Sequence, residues 1–246
     1  MPALLLETLT WPAVKALVDG GETLCLMPVG ATEQHGRHLP LSTDSDIATA
    51  ICRAASERTG VPVLPTLTIS SSHAHTTKWP GTLSYPPRMV IDMVVELSEW
   101  VAAAGLRKLL ILNAHGGNVA PLAVAVDEIR RAGLLQVGCI SWFELSPEIL
   151  ERTFADGQDI HANAAETSLM LHLHPELVDP AEVHDDPDRT TELVFSYPVD
   201  HTSVDGLTGF PSRASAADGA ELFELIAAAL SERVARARAE QPPRLP

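Results

Sequence analysis

The sequence predicts an α/β fold in which helices cover both faces of a mainly parallel sheet. Two observations support this prediction. Short apolar runs of strand length alternate with longer stretches whose apolar residues recur at helical spacing. Polar motifs that could carry chemistry follow directly after two of the apolar runs, as is typical of parallel sheets. With 246 residues, 46% of them hydrophobic, the chain is long enough to form one domain over 1–246 with a sizeable core.

Each element is predicted from its own local pattern. The apolar runs that predict strands span 24–29, 61–69, 108–112 and 136–142. Apolar residues at helical spacing predict helices at 46–58, 87–104, 119–132, 166–173 and 216–239. Pro65 interrupts the second strand, and Gly105 ends the second helix. We interpret the loop-rich stretch 175–215 as an excursion from the domain, either a lid or an oligomer contact, and 241–246 as a frayed tail.

The composition excludes several classes of partner. The formal net charge is −15, whereas nucleic acids and anionic membranes attract basic surfaces. No apolar run approaches the ~20 residues of a membrane span, and the first residues lack the basic region of a signal peptide. Cys25, Cys52 and Cys139 are expected to be buried free thiols. We therefore expect a cytoplasmic protein.

Two polar motifs follow the first and third predicted strands. Glu33, His35 and Asp44 come after the first strand, and His115 follows the third, next to two glycines. Carboxylates and imidazoles are ligands of divalent metal ions, and the ends of parallel strands lie at one edge of a sheet. The pattern favours a metal site. Two simpler interpretations remain open: Asp44 could cap the helix expected near residue 46, and each histidine could be an ordinary loop residue.

A third polar group lies at the start of the predicted helix 166–173. Asn163 at the N-cap and Glu166 three residues later would make a capping box, in which the two side chains bond each other's backbone N–H. His161 lies five residues before Glu166, so the two would not share a face of one helix. His161 is therefore expected in the loop, where both side chains can point into one pocket.

Five runs resemble the creatininase (creatinine amidohydrolase) family in sequence, order and spacing. They are 28–36, 39–44, 80–84, 113–118 and 166–168. The resemblance implies a three-layer α/β/α sandwich with a mainly parallel central sheet. It also implies two divalent metal ions per chain, zinc and/or manganese, and a homo-oligomer such as a hexamer.

The resemblance also implies a role for each motif residue. Asp44 would bridge the two metals, Glu33 and His115 would complete one metal site, and His35 and Glu166 the other. His161 corresponds to the histidine that moves a proton in creatininase. Family members hydrolyse amide C–N bonds, so the expected function is a metal-dependent amidohydrolase in which the metal pair supplies a hydroxide.

The sequence departs from the family pattern near the expected substrate. Arg37 replaces a proline, and the loop 72–79 is one residue longer and carries His73 and His75. Gly116 and Gly117 stand where creatininase has an aromatic residue and a glutamate. The expected substrate contacts are Ser72, His75, Gly116 and Gly117.

These departures make creatinine itself doubtful, and the expected substrate is a small cyclic or linear amide. Three alternatives remain. The same metal pair could serve a peptidase or deformylase step in redox-cofactor biosynthesis, or the protein could be a metal-dependent isomerase or lyase. It could also be a non-catalytic, metal-containing protein that binds a small molecule.

Overall fold

The fold is built on three parallel strands. The computed structural model describes residues 1–76 and 78–243. Strands β1 (Leu24–Val29), β2 (Lys108–Asn113) and β3 (Gln136–Ser141) lie side by side in the order β1-β2-β3. Their first residues, Leu24, Lys108 and Gln136, are in register, and so are their last. The carboxyl ends of all three strands therefore meet at one edge, where the polar motifs begin.

Helices cover both faces of this sheet. They are α1 (Trp11–Asp19), α2 (Thr43–Thr59), α3 (Pro87–Ala103), α4 (Val119–Ala132), α5 (Pro147–Thr153), α6 (Ala164–Leu173), α7 (Val199–Thr202) and α8 (Ala216–Ala239). On one face, Leu26 and Leu112 belong to a buried cluster with α2, α6 and α8. On the other face, Met27 and Ile111 are buried with apolar residues of α3 and α4. The α/β fold predicted from the sequence is confirmed.

The predicted second strand, 61–69, is not a regular strand. This segment runs parallel to β1 and bonds it at isolated points: the Leu26 N–H donates to the Pro62 carbonyl at 2.9 Å, and the Leu67 N–H donates to the Pro28 carbonyl at 3.0 Å. Pro65 lies between these contacts and has no N–H to donate. A proline in the middle of the run therefore breaks the ladder.

Two further predictions were wrong in detail. Helix α2 begins at Thr43, so Asp44 lies inside the first turn and Ser42 occupies the N-cap position. The proposed capping role of Asp44 is therefore excluded. Cys139 is exposed rather than buried, because it lies on the edge strand β3, whereas Cys25 and Cys52 are buried free thiols as predicted.

The stretch 175–215 consists mainly of loops, with α7 and short 3-10 turns as its regular elements. It returns to the carboxyl edge of the sheet, because Thr208 exchanges backbone hydrogen bonds with His161. Of the predicted frayed tail, residues 241–243 are exposed and irregular, and 244–246 lie outside the described residues. Within the part of the chain that the structure describes, no helix has the length and apolar character needed to cross a membrane.

Candidate metal centre

The first two motifs meet at the carboxyl ends of β1 and β2. Glu33 and His35 lie in the loop after β1, and α2 brings Asp44 back beside them. After β2, the Asn113 side chain stabilises the turn: its Nδ2 donates to the His115 carbonyl at 2.9 Å and its Oδ1 accepts from the His115 N–H at 3.1 Å. A Cβ at Gly117 would overlap the Ser71 carbonyl oxygen, so this turn requires glycine there.

The third motif reaches the same point from the start of α6. Asn163 caps the helix, with its Oδ1 accepting the Glu166 N–H at 3.1 Å. The reciprocal half of the predicted capping box is absent, because Glu166 Oε2 accepts the N–H of Ala162, at 2.6 Å, and not that of Asn163. Ala162 has a φ of 51°, an uncommon conformation for a residue with a side chain. The Glu166 carboxylate lies with His35 and His161 in one group of candidate ligand atoms.

Asp44 lies between the two imidazoles that the sequence predicted as metal ligands. Its Oδ1 is 3.3 Å from His35 Nε2, and its Oδ2 is 3.2 Å from His115 Nδ1. Glu33 Oε2 is 3.0 Å from the same His115 nitrogen. Candidate ligand atoms form three groups among the described residues: Glu33, Asp44 and His115; His35, His161 and Glu166; and Glu33, His75 and His161. One carboxylate oxygen faces each side, as a bridging role requires.

Several of these atoms are buried without a hydrogen-bond partner. They are both carboxylate oxygens of Glu33, Oδ2 of Asp44 and Nε2 of His35. Most buried polar atoms in proteins have a partner, so orphaned ligand atoms that face one another call for an explanation. A divalent cation would satisfy all of them. The donor set, of carboxylate oxygens and imidazole nitrogens, fits zinc and manganese.

In His35 and His115, the outer ring nitrogen, which points away from the carboxylates, lies within hydrogen-bond distance of a backbone carbonyl. His115 Nε2 lies 2.9 Å from the Ser71 carbonyl oxygen, and His35 Nδ1 lies 3.0 Å from that of Glu33. Each outer N–H can donate to its carbonyl, so the inner nitrogen is the one directed at the carboxylates. Histidines that bind metals are typically held in this way by a second hydrogen bond.

The charges of the site favour an ionised Asp44 carboxylate. Burial raises the pKa of Asp44, but the nearby imidazoles of His35 and His115 lower it by more, to about 2. Burial raises the pKa of Glu166 to about 7, despite the opposing effect of His35. In the absence of a metal, the imidazoles supply the positive charge that the carboxylates require, and a metal ion would replace it.

A cavity of about 240 Å³ opens above these residues. Four of the metal-ligand candidates line it together with His75, Gly116, Gly117 and His161; they are Glu33, Asp44, His115 and Glu166. Its apolar wall comprises Phe143, Phe154, Ile160 and Val199. Ser72 does not line the cavity. Its Oγ lies 3.3 Å from His115 Nε2, behind the histidine. Of the four predicted substrate contacts, the structure therefore brings three to the cavity.

The sequence analysis did not predict the apolar residues of the cavity wall or the role of Gln34. Apart from Ile160, which directly precedes His161, the apolar wall lies on loops and helices far from the motifs, and no local pattern marks it. Gln34 sits between Glu33 and His35, and its side chain bonds the Gly206 carbonyl, 172 residues away. Its position inside the motif was a signal for a role, but its partners could not be predicted.

Comparisons with known proteins agree with this geometry. A family profile described as creatinine amidohydrolase matches residues 7–234, most of the chain. The chain belongs to the creatininase family. Membership confirms the predicted enzyme class, a hydrolase that acts on a carbon–nitrogen bond.

Individual relatives and structures resemble the chain over nearly its full length. A creatinine amidohydrolase from Pseudomonas putida is 31% identical over 253 aligned residues, which cover 96% of each chain. A mycofactocin precursor peptide peptidase from Mycolicibacterium smegmatis is 33% identical and covers 87% of this chain and 85% of its own. A crystal structure of creatininase superposes with a TM-score of 0.84 at 29% identity, covering 98% of this chain and 99% of that one. Solved creatininases include zinc and manganese forms.

Proposed function

We propose that this protein is a metal-dependent amidohydrolase that uses two divalent ions, zinc and/or manganese, to cleave the C–N bond of a small cyclic or linear amide. The observation that carries the proposal is the position of Asp44 between His35 and His115, with buried, unpartnered oxygens around it. Glu33, Asp44 and His115 would hold one ion. Asp44, His35 and Glu166 would hold the other. When bound, such ions polarise an amide carbonyl and lower the pKa of a water from about 15.7 to about 7.

We propose that His161 moves a proton in this reaction. Its Nε2 lies 2.6 Å from the Gln34 carbonyl oxygen, to which it can donate, so Nδ1 is the unprotonated nitrogen. Its ring lies between His35 and His75, with centroids 4.3 Å from each. Burial and these two neighbours lower the pKa of His161 well below its usual value, so the ring is neutral near pH 7.

A neutral His161 can accept a proton from the attacking water and return it to the leaving nitrogen. The water oxygen bonds to the amide carbon, the C–N bond breaks as the nitrogen takes the proton from His161, and the products are a carboxylic acid and an amine. His161 is therefore the proposed catalytic residue, and the proposal does not require it as a metal ligand.

The part of the cavity wall formed by Gly116 and Gly117 would receive the substrate. A Cβ placed on Gly116 would meet no atom within 4 Å, so the cavity is open at this residue. The backbone N–H groups of Gly116 and Gly117 could donate to a substrate oxygen. Ser72, in contrast, acts through His115 in this arrangement.

A screen of amides with zinc- and manganese-loaded protein tests the proposal. We expect hydrolysis of at least one class among creatinine, formamides, small linear amides and short peptides, and no turnover after chelation of the metal. The similarity to the mycofactocin precursor peptide peptidase makes a peptide end the second candidate substrate. Binding of amides without turnover by fully loaded protein would favour a non-catalytic binding protein.

We further propose that the protein is a cytoplasmic homo-oligomer. Val194 is 88% exposed and Phe195 is 73% exposed, and both lie in the predicted oligomer-contact stretch. Burial of such side chains against another copy would stabilise the assembly. Light scattering should give a mass at least twice the 26.3 kDa of one chain. A mass near 26.3 kDa at micromolar concentration would contradict this.

A further inference from the structure

The loop between α5 and α6 is held beside the cavity by one carboxylate. Asp188 Oδ2 accepts the backbone N–H groups of Gln158 and Asp159 at 3.0 and 3.2 Å. Asp188 Oδ1 accepts the N–H and the hydroxyl of Thr190 at 2.7 and 2.6 Å. A Cβ at Gly157 would lie 2.9 Å from the Asp188 Cβ, so this close packing depends on glycine. The backbone of Asp159 is therefore fixed in place at the cavity.

The Asp159 side chain is free to bind a ligand. Asp159 is exposed and lines the cavity, and within residues 1–76 and 78–243 its carboxylate accepts no hydrogen bond and forms no ion pair. The other carboxylates that line the cavity belong to the metal-ligand candidates Glu33, Asp44 and Glu166. Asp159 is thus the one lining carboxylate, in the part of the chain that the structure describes, that the proposed metal centre does not use.

The rest of the lining favours a cation over an anion. None of the described residues that line the cavity is a lysine or an arginine, so no basic side chain there would bind a carboxylate or phosphate group of a substrate. Phe143 and Phe154 line it as an edge-to-face pair with ring centroids 5.7 Å apart, and aromatic rings attract cations over their faces. The net charge of −15 also attracts cations to the molecule.

The place of Asp159 in the chain indicates which part of the substrate it meets. Asp159 lies two residues before His161, and both residues line the cavity. In the proposed function, His161 returns a proton to the leaving nitrogen. A group bound by Asp159 would therefore belong to the amine part of the amide rather than to its acyl part.

We propose that Asp159 determines specificity by binding a positively charged amino group on the amine part of the substrate. The substrate class is then an amide in which one nitrogen belongs to the scissile bond and a second nitrogen is a free ammonium group. The phenyl rings of Phe143 and Phe154 would contact the methylene groups that join the two nitrogens. This inference rests on the proposed function and extends it to a class of substrate.

Three amides of matched length test the charge preference on zinc-loaded protein. The monoacetyl amide of ethylenediamine ends in an ammonium group, N-propylacetamide in a methyl group and N-acetyl-β-alanine in a carboxylate. We expect the ammonium compound to be preferred over the methyl compound by ~5–10-fold, as for a partly exposed hydrogen bond between charged groups. The preference is measured as the ratio of kcat/KM for amides that are hydrolysed, and as the ratio of Kd from NMR titration for amides that are not.

Variants of Asp159 assign the preference to its carboxylate. Asp159→Asn keeps the shape of the side chain and removes its charge, so it should abolish the preference while the metal content stays unchanged. Asp159→Glu should retain part of it. Glu148→Gln is the matched control, because it removes the same charge from an exposed residue of α5 that does not line the cavity, and it should keep the full preference. Loss of the preference in Glu148→Gln, or its retention in Asp159→Asn, would overturn the proposal.

The two proposals fail in different ways. If loaded wild-type protein hydrolyses no amide, the proposed function fails, and the ratio of Kd values still decides whether Asp159 selects an ammonium group. If the ammonium and methyl compounds are hydrolysed with equal kcat/KM, the proposed function stands and the role of Asp159 is overturned.

Discussion

Asp44→Ala is expected to abolish binding of both divalent ions and all amide hydrolysis. Asp44 presents one oxygen to His35 and the other to His115, at 3.3 and 3.2 Å, so each ion of the proposed pair would lose a ligand. Removing the carboxylate also leaves the buried oxygens of Glu33 without the cation that they require. Elemental analysis after dialysis against zinc measures the loss directly, and activity should fall to the level of chelated wild type.

Asp46→Ala is the matched control for this experiment. Asp46 lies in the same first turn of α2, but its carboxylate accepts a hydrogen bond from Ser42 at 2.6 Å, outside the site. This variant should keep its metal and its activity, with at most a small loss of stability. Full metal occupancy in Asp44→Ala would show that Asp44 does not bridge the ions.

His161→Ala is expected to lower kcat by ~10² or more while both ions stay bound, since proton transfer by a positioned side chain typically contributes ~10²–10⁴. In our account His161 moves a proton, and its Nε2 is already engaged by the Gln34 carbonyl at 2.6 Å. Its effect on KM should be smaller than its effect on kcat. A variant with near-normal kcat would exclude the proton-transfer role, and loss of an ion would make His161 a ligand.

Glu166→Ala distinguishes a ligand from a helix cap at the same turn. We expect loss of one ion together with activity, because Glu166 faces His35 in the second ligand group. Asn163→Ala is the comparison, because Asn163 provides the actual cap of α6. It should cost about 1 kcal/mol of stability and keep the metal, as is usual for loss of a capping side chain. Retention of two ions by Glu166→Ala would remove this residue from the metal centre.

Local periodicity was sufficient to predict most of the regular elements. The helix predicted at 119–132 matches α4, and 216–239 matches α8, because apolar spacing and flanking residues define both ends. The prediction was wrong at 61–69, where Val, Leu and Ile suggested a strand. Pro62 and Pro65 remove two N–H groups there, so the segment pairs with β1 only at isolated points.

The metal-ligand candidates were predictable because four of them lie in short motifs at strand ends, where a parallel sheet collects side chains. The backbone conformation just before α6 was not predictable, since no sequence pattern required the positive φ of Ala162. The hydrogen-bond partners of Gln34 could not be predicted either. Its partners His75 and Gly206 lie 41 and 172 residues away, and only the tertiary fold brings them together.

Anomalous X-ray scattering at the zinc edge, on crystals of zinc-loaded protein, tests the central claim most directly. We predict two peaks per chain, one on each side of the Asp44 carboxylate, the first contacted by Glu33 and His115 and the second by His35 and Glu166. A single peak, or peaks that do not contact Asp44, would contradict the dimetal centre.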